Sequence, residues 1–473
     1  MKVAVIGAGP AGMTAAYQLA KAGIEVEVFE ATPCIGGLAR TLELWNQKVD
    51  LGPHRFFSKD ERVNRLWLEV VGRDYCMVNR LTRIYYGGKF FKYPLRALDC
   101  SINLNPAVSI ACLLSYLKEK IRPTALDGSF ETWVTHRFGR KLFEVFFQTY
   151  SEKLWGISCA ELSDDFAAQR IKKLSLSEAI KNALFKPKLQ SHATLLDRFA
   201  YPNEGTGIIY QRMAASIQKK GGKIHLSSPV KSVLLQNGSV NGIELASGTS
   251  HSFDRVISTM PLTLLVQTLP GAPQNVTDAA KSLSFRNTIL VYLKIESPAV
   301  FPDNWIYIHS PKFKAGRITN FRNWSTHLHG KETATILAVE FWCSDNDSLW
   351  TTADPDLIEL AGREVRQTGL IQDHKISDGH VHRIRRCYPI YRKGYKKHLE
   401  IIQNFVRGIK GLQAIGRYGA FKYNNQDHSI LMGVLAAENI VDSEEHDLWQ
   451  INTDYDTYQE SAITEDGLII TKR

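Results

Sequence analysis

The apolar positions of this chain change their period three times. At the start KVAVIG, from Lys2 to Gly7, is an unbroken apolar run closed by glycine, as expected of a strand buried on both faces. GAGPAG follows, then a helical stretch from Met13 to Lys21 and a second strand, EVEVFE, ending on Glu30. From about 60 to 195 the pattern turns helical and aromatic. FETWVTHRFGRKLFEVFFQTY carries Trp133, Phe138, Leu142, Val145, Phe146 and Tyr150 at helical spacing, most of them core positions. From Phe199 the chain reads as loop, helix, glycine turn and strand. Two short strands joined by Asn-Gly and Ser-Gly turns come next, and then the apolar strand of VISTMPL. Between about 265 and 405 TILVYLKI, NWIYIHS and ATILAVEFW alternate apolar and polar residues, predicting a mainly antiparallel sheet. GLQAIGRYGAFKYNNQDHSILMGVLAAENI closes the pattern with a short strand that enters a helix near Ser429.

The first thirty residues carry chemistry as well as structure. Strand, glycine turn, helix, strand and acid is the dinucleotide fingerprint in its required context. Gly7 permits the tight turn, Gly9 lets backbone approach a pyrophosphate, and Gly12 lets the helix pack on the strand. The helix N-terminus faces the phosphates, and Glu30 is placed to accept from ribose hydroxyls. ATPCIGGLART then adds Gly36 and Gly37 for a second close approach to phosphate, with Arg40 to supply charge. That extension resembles the FAD-specific one of the two-dinucleotide-binding-domain flavoproteins, and the resemblance moves the expected cofactor from NAD to FAD. The expected fold is α/β: a Rossmann-type FAD-binding domain, discontinuous over residues 1–60, 195–265 and 405–445. It is interleaved with a helical subdomain at 61–194 and a mainly antiparallel β substrate-binding layer at 266–404, and a C-terminal tail covers 446–473.

Composition narrows the partners. A chain of 473 residues, 44% hydrophobic and 22% charged, has enough length for two or three domains' worth of core. Its formal charge of +10 suits an anionic ligand, an acidic membrane surface or nucleic acid. The basic residues are scattered rather than gathered in an arm, which argues against nucleic acid and puts a phosphate-bearing small substrate first. Seven dispersed cysteines without a CxxC pair fit free thiols in a reducing cytoplasm and leave no metal spacing. The three motif glycines, Pro10 and the lack of a basic n-region argue against a signal peptide. No apolar run reaches membrane-spanning length. The nearest, Ala107 to Leu117, is expected to be a buried helix. A surface helix leaning on a bilayer through Lys118, Lys120 and Arg122, at the inner face of the membrane, is the alternative.

Other residues acquire roles from their neighbours. GPHRFF presents His54 after a Gly52-Pro53 turn, although a lone histidine is more often packed or superficial. Tyr150, Lys153, Trp155 and Arg170 fall in one helical subregion, where an aromatic ring and cations can grip a base and a diphosphate. Arg317, in AGRITNF, lies where a strand can aim it at an anion. Val230 is a candidate backbone contact on the adenine side. Helix N-terminal donors near Ser429 are candidates for a flavin carbonyl or a phosphate.

Taken together, GAGPAG, Glu30, GGLAR and the VISTMPL strand resemble the amine-oxidase-like flavoproteins. GPHRFF, YSEKLWG, QRIKKL with Arg170, YPNEGTG, GRIT with Arg317, AVEFW with Glu340 and GRYGAFKYNNQDHSI resemble the UDP-galactopyranose mutase branch and lie in its order. The resemblance implies a reduced FAD whose N5 attacks the anomeric carbon of a nucleotide sugar, for ring interconversion of the UDP-galactopyranose/galactofuranose type. It further implies that Arg170 and Arg317 clamp the diphosphate and that Tyr150 and Tyr423 hydrogen-bond it. Trp155 would line the uridine side, His54 would lie against the flavin, and Gly416, Arg417, Asp427 and Ser429 would sit at the flavin's edge. The chain departs from the branch at Phe57, where histidine is common, and at Asn320, where an acid follows the arginine strand. It is also longer around Tyr93 to Pro123. A mutase of this kind requires a separate reductant for its flavin. The alternatives are a FAD-dependent oxidoreductase of the amine oxidase, protoporphyrinogen oxidase or desaturase type, and a catalytically idle flavin-bound scaffold. The sequence leaves the oligomeric state open.

Overall fold

A computed structural model describes residues 1–95, 97–165, 198–451 and 461–470. Its contacts divide the chain into two units. The first comprises residues 1–78, 199–284 and 395–473, and the second 79–198 and 285–394.

The first unit is built on a five-stranded, all-parallel sheet. Its order is Leu412–Ala414, Arg255–Ser258, Lys2–Ile6, Glu25–Phe29 and Lys223–His225. The central strand is buried on both faces, which is why KVAVI lacks alternation: Val3, Ala4 and Val5 are wholly inaccessible. Helix Pro10–Lys21 packs on one face and makes its closest helical neighbour of Gln426–Val441. Gly433 sets that approach, because a Cβ there would lie 2.5 Å from the Ala11 carbonyl oxygen. A three-stranded antiparallel meander, Val230–Gln236, Ser239–Leu245 and Ser250–Ser252, accompanies the sheet.

The second unit holds a seven-stranded sheet. Its order is Ile376–Pro389, Phe285–Ile295, Thr335–Cys343, Arg317–Asn320, Trp305–Ile308, Thr82–Tyr86 and Lys89–Lys92. Every pairing is antiparallel except that of Trp305–Ile308 with Thr82–Tyr86. Leu357, Ala361 and Val365 of helix Asp354–Gln367 seal its long strands.

Two expectations need correction. Residues 61–194 are not a purely helical subdomain. Helix Glu61–Val71 joins the first unit, burying Val63, Leu66 and Trp67 in that core, and Thr82–Tyr86 with Lys89–Lys92 forms a hairpin edge of the large sheet. The hairpin turn is Gly87-Gly88, both at positive φ, a signal hidden among the aromatic residues on either side. Within the C-terminal tail, Ser461–Thr464 and Gly467–Ile470 form a hairpin whose Thr464 carbonyl accepts from the Tyr75 hydroxyl at 2.6 Å. Finally, Pro106–Ile121 is not a buried helix. Ile110, Leu113, Leu114, Leu117 and Ile121 face outward, and Glu119 is its buried residue. Among the described residues no helix is long and apolar enough to cross a membrane. None of the seven cysteines forms a disulfide.

Candidate functional site

In the first unit the glycine turn shows which glycines the fold itself demands. Gly7, at φ 99°, donates its N–H to the Phe29 carbonyl at 2.8 Å, and a Cβ would fall 2.2 Å from Thr259 Oγ1. A Cβ on Gly12 would fall 2.0 Å from the Gly7 carbonyl oxygen. Gly9 is different: its φ of −80° suits any residue, and the nearest atom to an added Cβ is the Gly37 Cα at 3.9 Å. Gly37, in turn, would press its Cβ to within 3.0 Å of the Gly9 Cα. Two bare backbones therefore face each other at the start of helix Pro10–Lys21, whose first turn has no side-chain cap and no acid. The Gly36 N–H ties the second turn to the first through the Ala8 carbonyl at 2.8 Å.

Glu30 ends the second strand. Its carboxylate accepts from the Ala8 N–H at 2.8 Å, the Thr32 N–H at 2.9 Å and the Thr32 hydroxyl at 2.8 Å, so its orientation is fixed beside the turn. Half-buried Arg40 follows the short helix Gly37–Ala39, and its carbonyl accepts from Leu51 N–H at 3.2 Å. Half-buried Val230 opens the meander opposite Leu245. An uncapped helix start, two glycine turns shaped for close approach and an oriented acid fit the pyrophosphate and ribose of a dinucleotide.

The C-terminal motif lies against the same helix. Gly416 stands at φ 82°, where a Cβ would meet the Ala11 Cβ at 2.9 Å. Arg417 donates to the Asn424 carbonyl at 2.8 Å, and its guanidinium lies 4.5 Å over the Tyr423 ring. Asp427 and Ser429 are buried in the first turn of Gln426–Val441, whose N-cap Asn425 makes no side-chain cap. Gln426 is the hub: it takes hydrogen bonds from Thr206 Oγ1 at 3.1 Å and Tyr210 OH at 2.8 Å, and donates to the His54 carbonyl at 3.5 Å. The half-buried loop bearing His54 is thus fastened to the helix start by backbone, after a Gly52 turn at φ 113°.

YPNEGTG has a structural explanation. Asp50 is wholly buried and accepts from Thr41 Oγ1 at 2.6 Å, Tyr201 OH at 2.7 Å and the Thr206 N–H at 3.2 Å. Burial pushes its carboxyl up to about 7, while these donors pull it back. Gly205 and Gly207 leave room for Thr41, which a Cβ on either would meet within 2.7 Å.

In the second unit sheet register creates the central feature. Arg317 and Glu340 are directly paired residues on neighbouring antiparallel strands. Their side chains form a two-pronged ion pair, Nε to Oε1 and Nη2 to Oε2, both 2.6 Å. Glu340 is 2% exposed and Arg317 15%. Burial works against the guanidinium's charge, Glu340 more than offsets it, and the pKa stays well above its ordinary value. Both carboxylate oxygens are engaged, while Arg317 Nη1 has no protein partner among the described residues.

Aromatic rings surround the pair. Tyr150 and Tyr388 lie near enough to feel the Arg317 charge. Tyr150 stacks on His309 at 4.5 Å and meets Trp342 edge-on at 5.5 Å. Wholly buried Trp155 contacts Tyr388 at 6.4 Å and stacks on Tyr391 at 5.9 Å. Gly316 makes room for Trp342, whose ring would lie 1.9 Å from an added Cβ. Lys153 donates to the carbonyls of Ser310 at 2.7 Å, Ile308 at 3.2 Å and Ala315 at 3.3 Å, bracing the chain that leads into Arg317. Burial pulls its ammonium down to about 8. Burial, with help from the Lys153 charge, pulls His309 down to about 3, so its ring is neutral.

The structure thus gathers Tyr150, Trp155 and Arg317 in the second unit, and the glycine turns, Glu30, His54, Arg417, Tyr423, Asp427 and Ser429 in the first. Arg170 lies outside the described residues. Sequence reasoning gave no role to Tyr388, Trp342, His309 or Gln426. It quoted Glu340 only within a motif. The usable signal was Glu340's lone charge in TILAVEFWC, a strand buried throughout, where an acid needs a partner.

Comparison with known proteins bears on this arrangement. The family description "Flavin containing amine oxidoreductase" matches residues 10–440. The chain belongs to the flavin-containing amine oxidoreductases. As a member of that family it is a flavoenzyme of the amine oxidase superfamily, with a flavin cofactor. Within this flavoenzyme fold, the structure of reduced UDP-galactopyranose mutase is similar at a TM-score of 0.83 and 23% identity, over 94% of this chain and 96% of that one. Wild-type putrescine oxidase bound to putrescine is similar at a TM-score of 0.65 and 16% identity, over 93% and 99%. Identities this low establish the shared fold alone. Among curated proteins, an L-amino-acid oxidase of Sistrurus catenatus edwardsii is 26% identical over 177 residues, which is 37% of this chain and 30% of the oxidase. The chain therefore matches under a third of that relative's length.

Proposed function

We propose that this flavoenzyme is a FAD-dependent mutase acting on an anionic nucleotide sugar, of the UDP-galactopyranose/galactofuranose type. The carrying observation is the buried Arg317–Glu340 pair inside a ring of aromatic side chains. An enzyme that takes a cationic amine needs a carboxylate or aromatic cage open to the ammonium. Here both oxygens of Glu340 are already taken by Arg317. What remains, among the described residues, is the Nη1 amino group and the second Nη2 N–H of a guanidinium with its charge fixed, which suits a phosphate oxygen.

In this reading the backbone at Gly9, Gly12 and Gly37 holds the FAD pyrophosphate, on turns that Gly7 and Gly36 shape with their own N–H groups tied to the Phe29 and Ala8 carbonyls, and Glu30 takes the ribose hydroxyls. Arg40 adds charge, and Val230 serves the adenine side. Gly416, Arg417, Asp427 and Ser429 serve the isoalloxazine through the start of helix Gln426–Val441, and His54 bears on the ring. When bound and reduced, FAD supplies a nucleophile toward an anomeric carbon. The protein's part is electrostatic and positional. Arg317 and Arg170 neutralise the departing diphosphate, Tyr150 donates to it, and Trp155 lines the uridine side. Glu340 fixes the Arg317 fork, and neutral His309 supports the Tyr150 ring by stacking.

The second reading is oxidation of an amino acid or other anion-bearing amine, which the L-amino-acid oxidase match favours. Arg317 Nη1 would then receive a carboxylate. The experiment is incubation of dithionite-reduced and of air-oxidised protein with UDP-galactopyranose, alongside oxygen uptake with amino acids and diamines. Ring interconversion by reduced protein alone supports the mutase. Oxygen uptake with an amine, without interconversion, supports the oxidase.

A further inference from the structure

Helix Pro106–Ile121 carries an apolar stripe that nothing in the flavoenzyme's chemistry uses. Ile110, Leu113, Leu114, Leu117 and Ile121 are 59, 51, 60, 46 and 84% exposed. At roughly 100° per residue these five side chains share one arc about 100° wide. Fourteen large apolar side chains are exposed among the described residues, and seven lie between Ile102 and Leu126. Scattered exposed apolar residues are ordinary, whereas half of the inventory on one short stretch marks a surface that meets something.

The charges around the stripe say what it meets. By the same helical geometry Lys118 lies on one border of the arc and Lys120 on the other, roughly 160° apart, and Arg122 follows as the C-cap. All three are exposed. Glu119, the helix's only acid, is turned inward and buried, accepting from the Thr124 N–H at 2.8 Å and Thr124 Oγ1 at 2.9 Å. Nearby carboxylates are engaged: Glu131 and Glu144 by Arg140, Glu144 also by Lys141, and Asp127 by Lys393. The opposite face of the helix is fixed. Ser115 Oγ accepts from Lys141 N–H at 3.1 Å, and Gly139 lets the backbones close until a Cβ would lie 2.7 Å from Tyr116 N. The stripe is therefore a rigid feature, held out by the packing behind it.

We propose that helix Pro106–Ile121 seats the protein on an anionic lipid surface, with Leu113, Leu114, Leu117 and their neighbours in the acyl boundary and Lys118, Lys120 and Arg122 at the headgroups. A second copy of the chain brings the same cationic borders to the helix and no counter-charge, whereas a phosphate-bearing headgroup layer supplies both an apolar phase and the negative charge. The helix is about 24 Å long and lies in the plane of the surface.

The test is co-sedimentation of the flavin-loaded protein with vesicles of phosphatidylcholine alone and with 30 mol% phosphatidylglycerol added, with sedimentation velocity in the absence of lipid. The expected result is binding to the anionic vesicles that weakens with salt. It falls about tenfold or more in Leu114→Glu/Leu117→Glu and in Lys118→Gln/Lys120→Gln, whose flavin absorbance and melting temperature match those of the parent. All four positions are exposed, so folding is retained. Two results would overturn the proposal: no preference for anionic vesicles, or a lipid-independent dimer that Leu114→Glu/Leu117→Glu dissociates, which would make the stripe an interface between copies. Neither result bears on the mutase assignment, which soluble UDP-galactopyranose tests separately.

Discussion

Replacing Arg317 with methionine isolates the most consequential contact in the second unit. The substitution leaves Glu340, with 2% of its side chain exposed, in a strand buried from end to end and without its counter-charge. Breaking one partner of a buried pair costs about 3–5 kcal/mol, because a desolvated charge is left behind, whereas removing both charges together is often close to neutral. For a unit on the order of 200 residues, about 3–5 kcal/mol lowers the melting temperature by roughly 10 °C. Arg317→Met/Glu340→Leu should then recover to within about 1 kcal/mol of the parent. The ligand result should run the other way. UDP titrated against each reduced protein, followed by flavin fluorescence, should bind the parent and neither variant, since the rescued variant has regained stability without an arginine. The assay pair is thermal melting by near-UV circular dichroism together with that titration. A single variant that melts within 1–2 °C of the parent would refute the burial argument. A double variant that binds UDP normally would refute the role given to Arg317.

Other predictions follow from the same geometry. Gly9→Ala has no protein atom nearer than 3.9 Å to clash with, so it should fold with parental apoprotein stability yet purify colourless. Gly12→Ala, at 2.0 Å from the Gly7 carbonyl, should lose both stability and flavin. Absorbance at the flavin maximum and the melting temperature separate the two. Asp50, raised by burial to about 7, is protonated more readily folded than unfolded, so its stabilising contribution is present at acidic pH and declines as pH rises from about 4 through about 7. The displacement corresponds to about 4 kcal/mol at most. The melting temperature of the parent relative to Asp50→Asn should accordingly fall across that window, and a flat difference would contradict it. Gly316→Ala should displace the Trp342 ring and weaken UDP binding while leaving bound flavin unchanged.

Much of the first unit was legible from local pattern. The run KVAVI, three glycines at fixed offsets and an acid at the end of the next strand are consequences of one nucleotide-binding geometry, and all fall within thirty residues. The second unit hides its logic in register. Arg317 and Glu340 are 23 residues apart, and nothing local to either says that antiparallel pairing sets them opposite each other. The Thr82–Lys92 hairpin was hidden because its strands are short and aromatic and sit among aromatic helices. The helix at Pro106–Ile121 misled for a different reason. Its apolar content argues for burial, and only packing behind Ser115 and Gly139 shows which face is turned out. The role of Gln426 is of the same kind: one amide joins three separate motifs, YPNEGTG, GPHRFF and the C-terminal helix, through side-chain and backbone bonds that no spacing rule anticipates.

The central claim is that this flavoenzyme rearranges an anionic nucleotide sugar, with its flavin working only when reduced. Chromatographic separation of UDP-galactopyranose from UDP-galactofuranose, after anaerobic incubation with dithionite-reduced and with oxidised protein, tests it most directly. The account predicts approach to the same equilibrium mixture from either sugar with reduced protein, and no conversion with oxidised protein. Equal conversion in both flavin states, or no conversion accompanied by oxygen uptake with an amine, would contradict it.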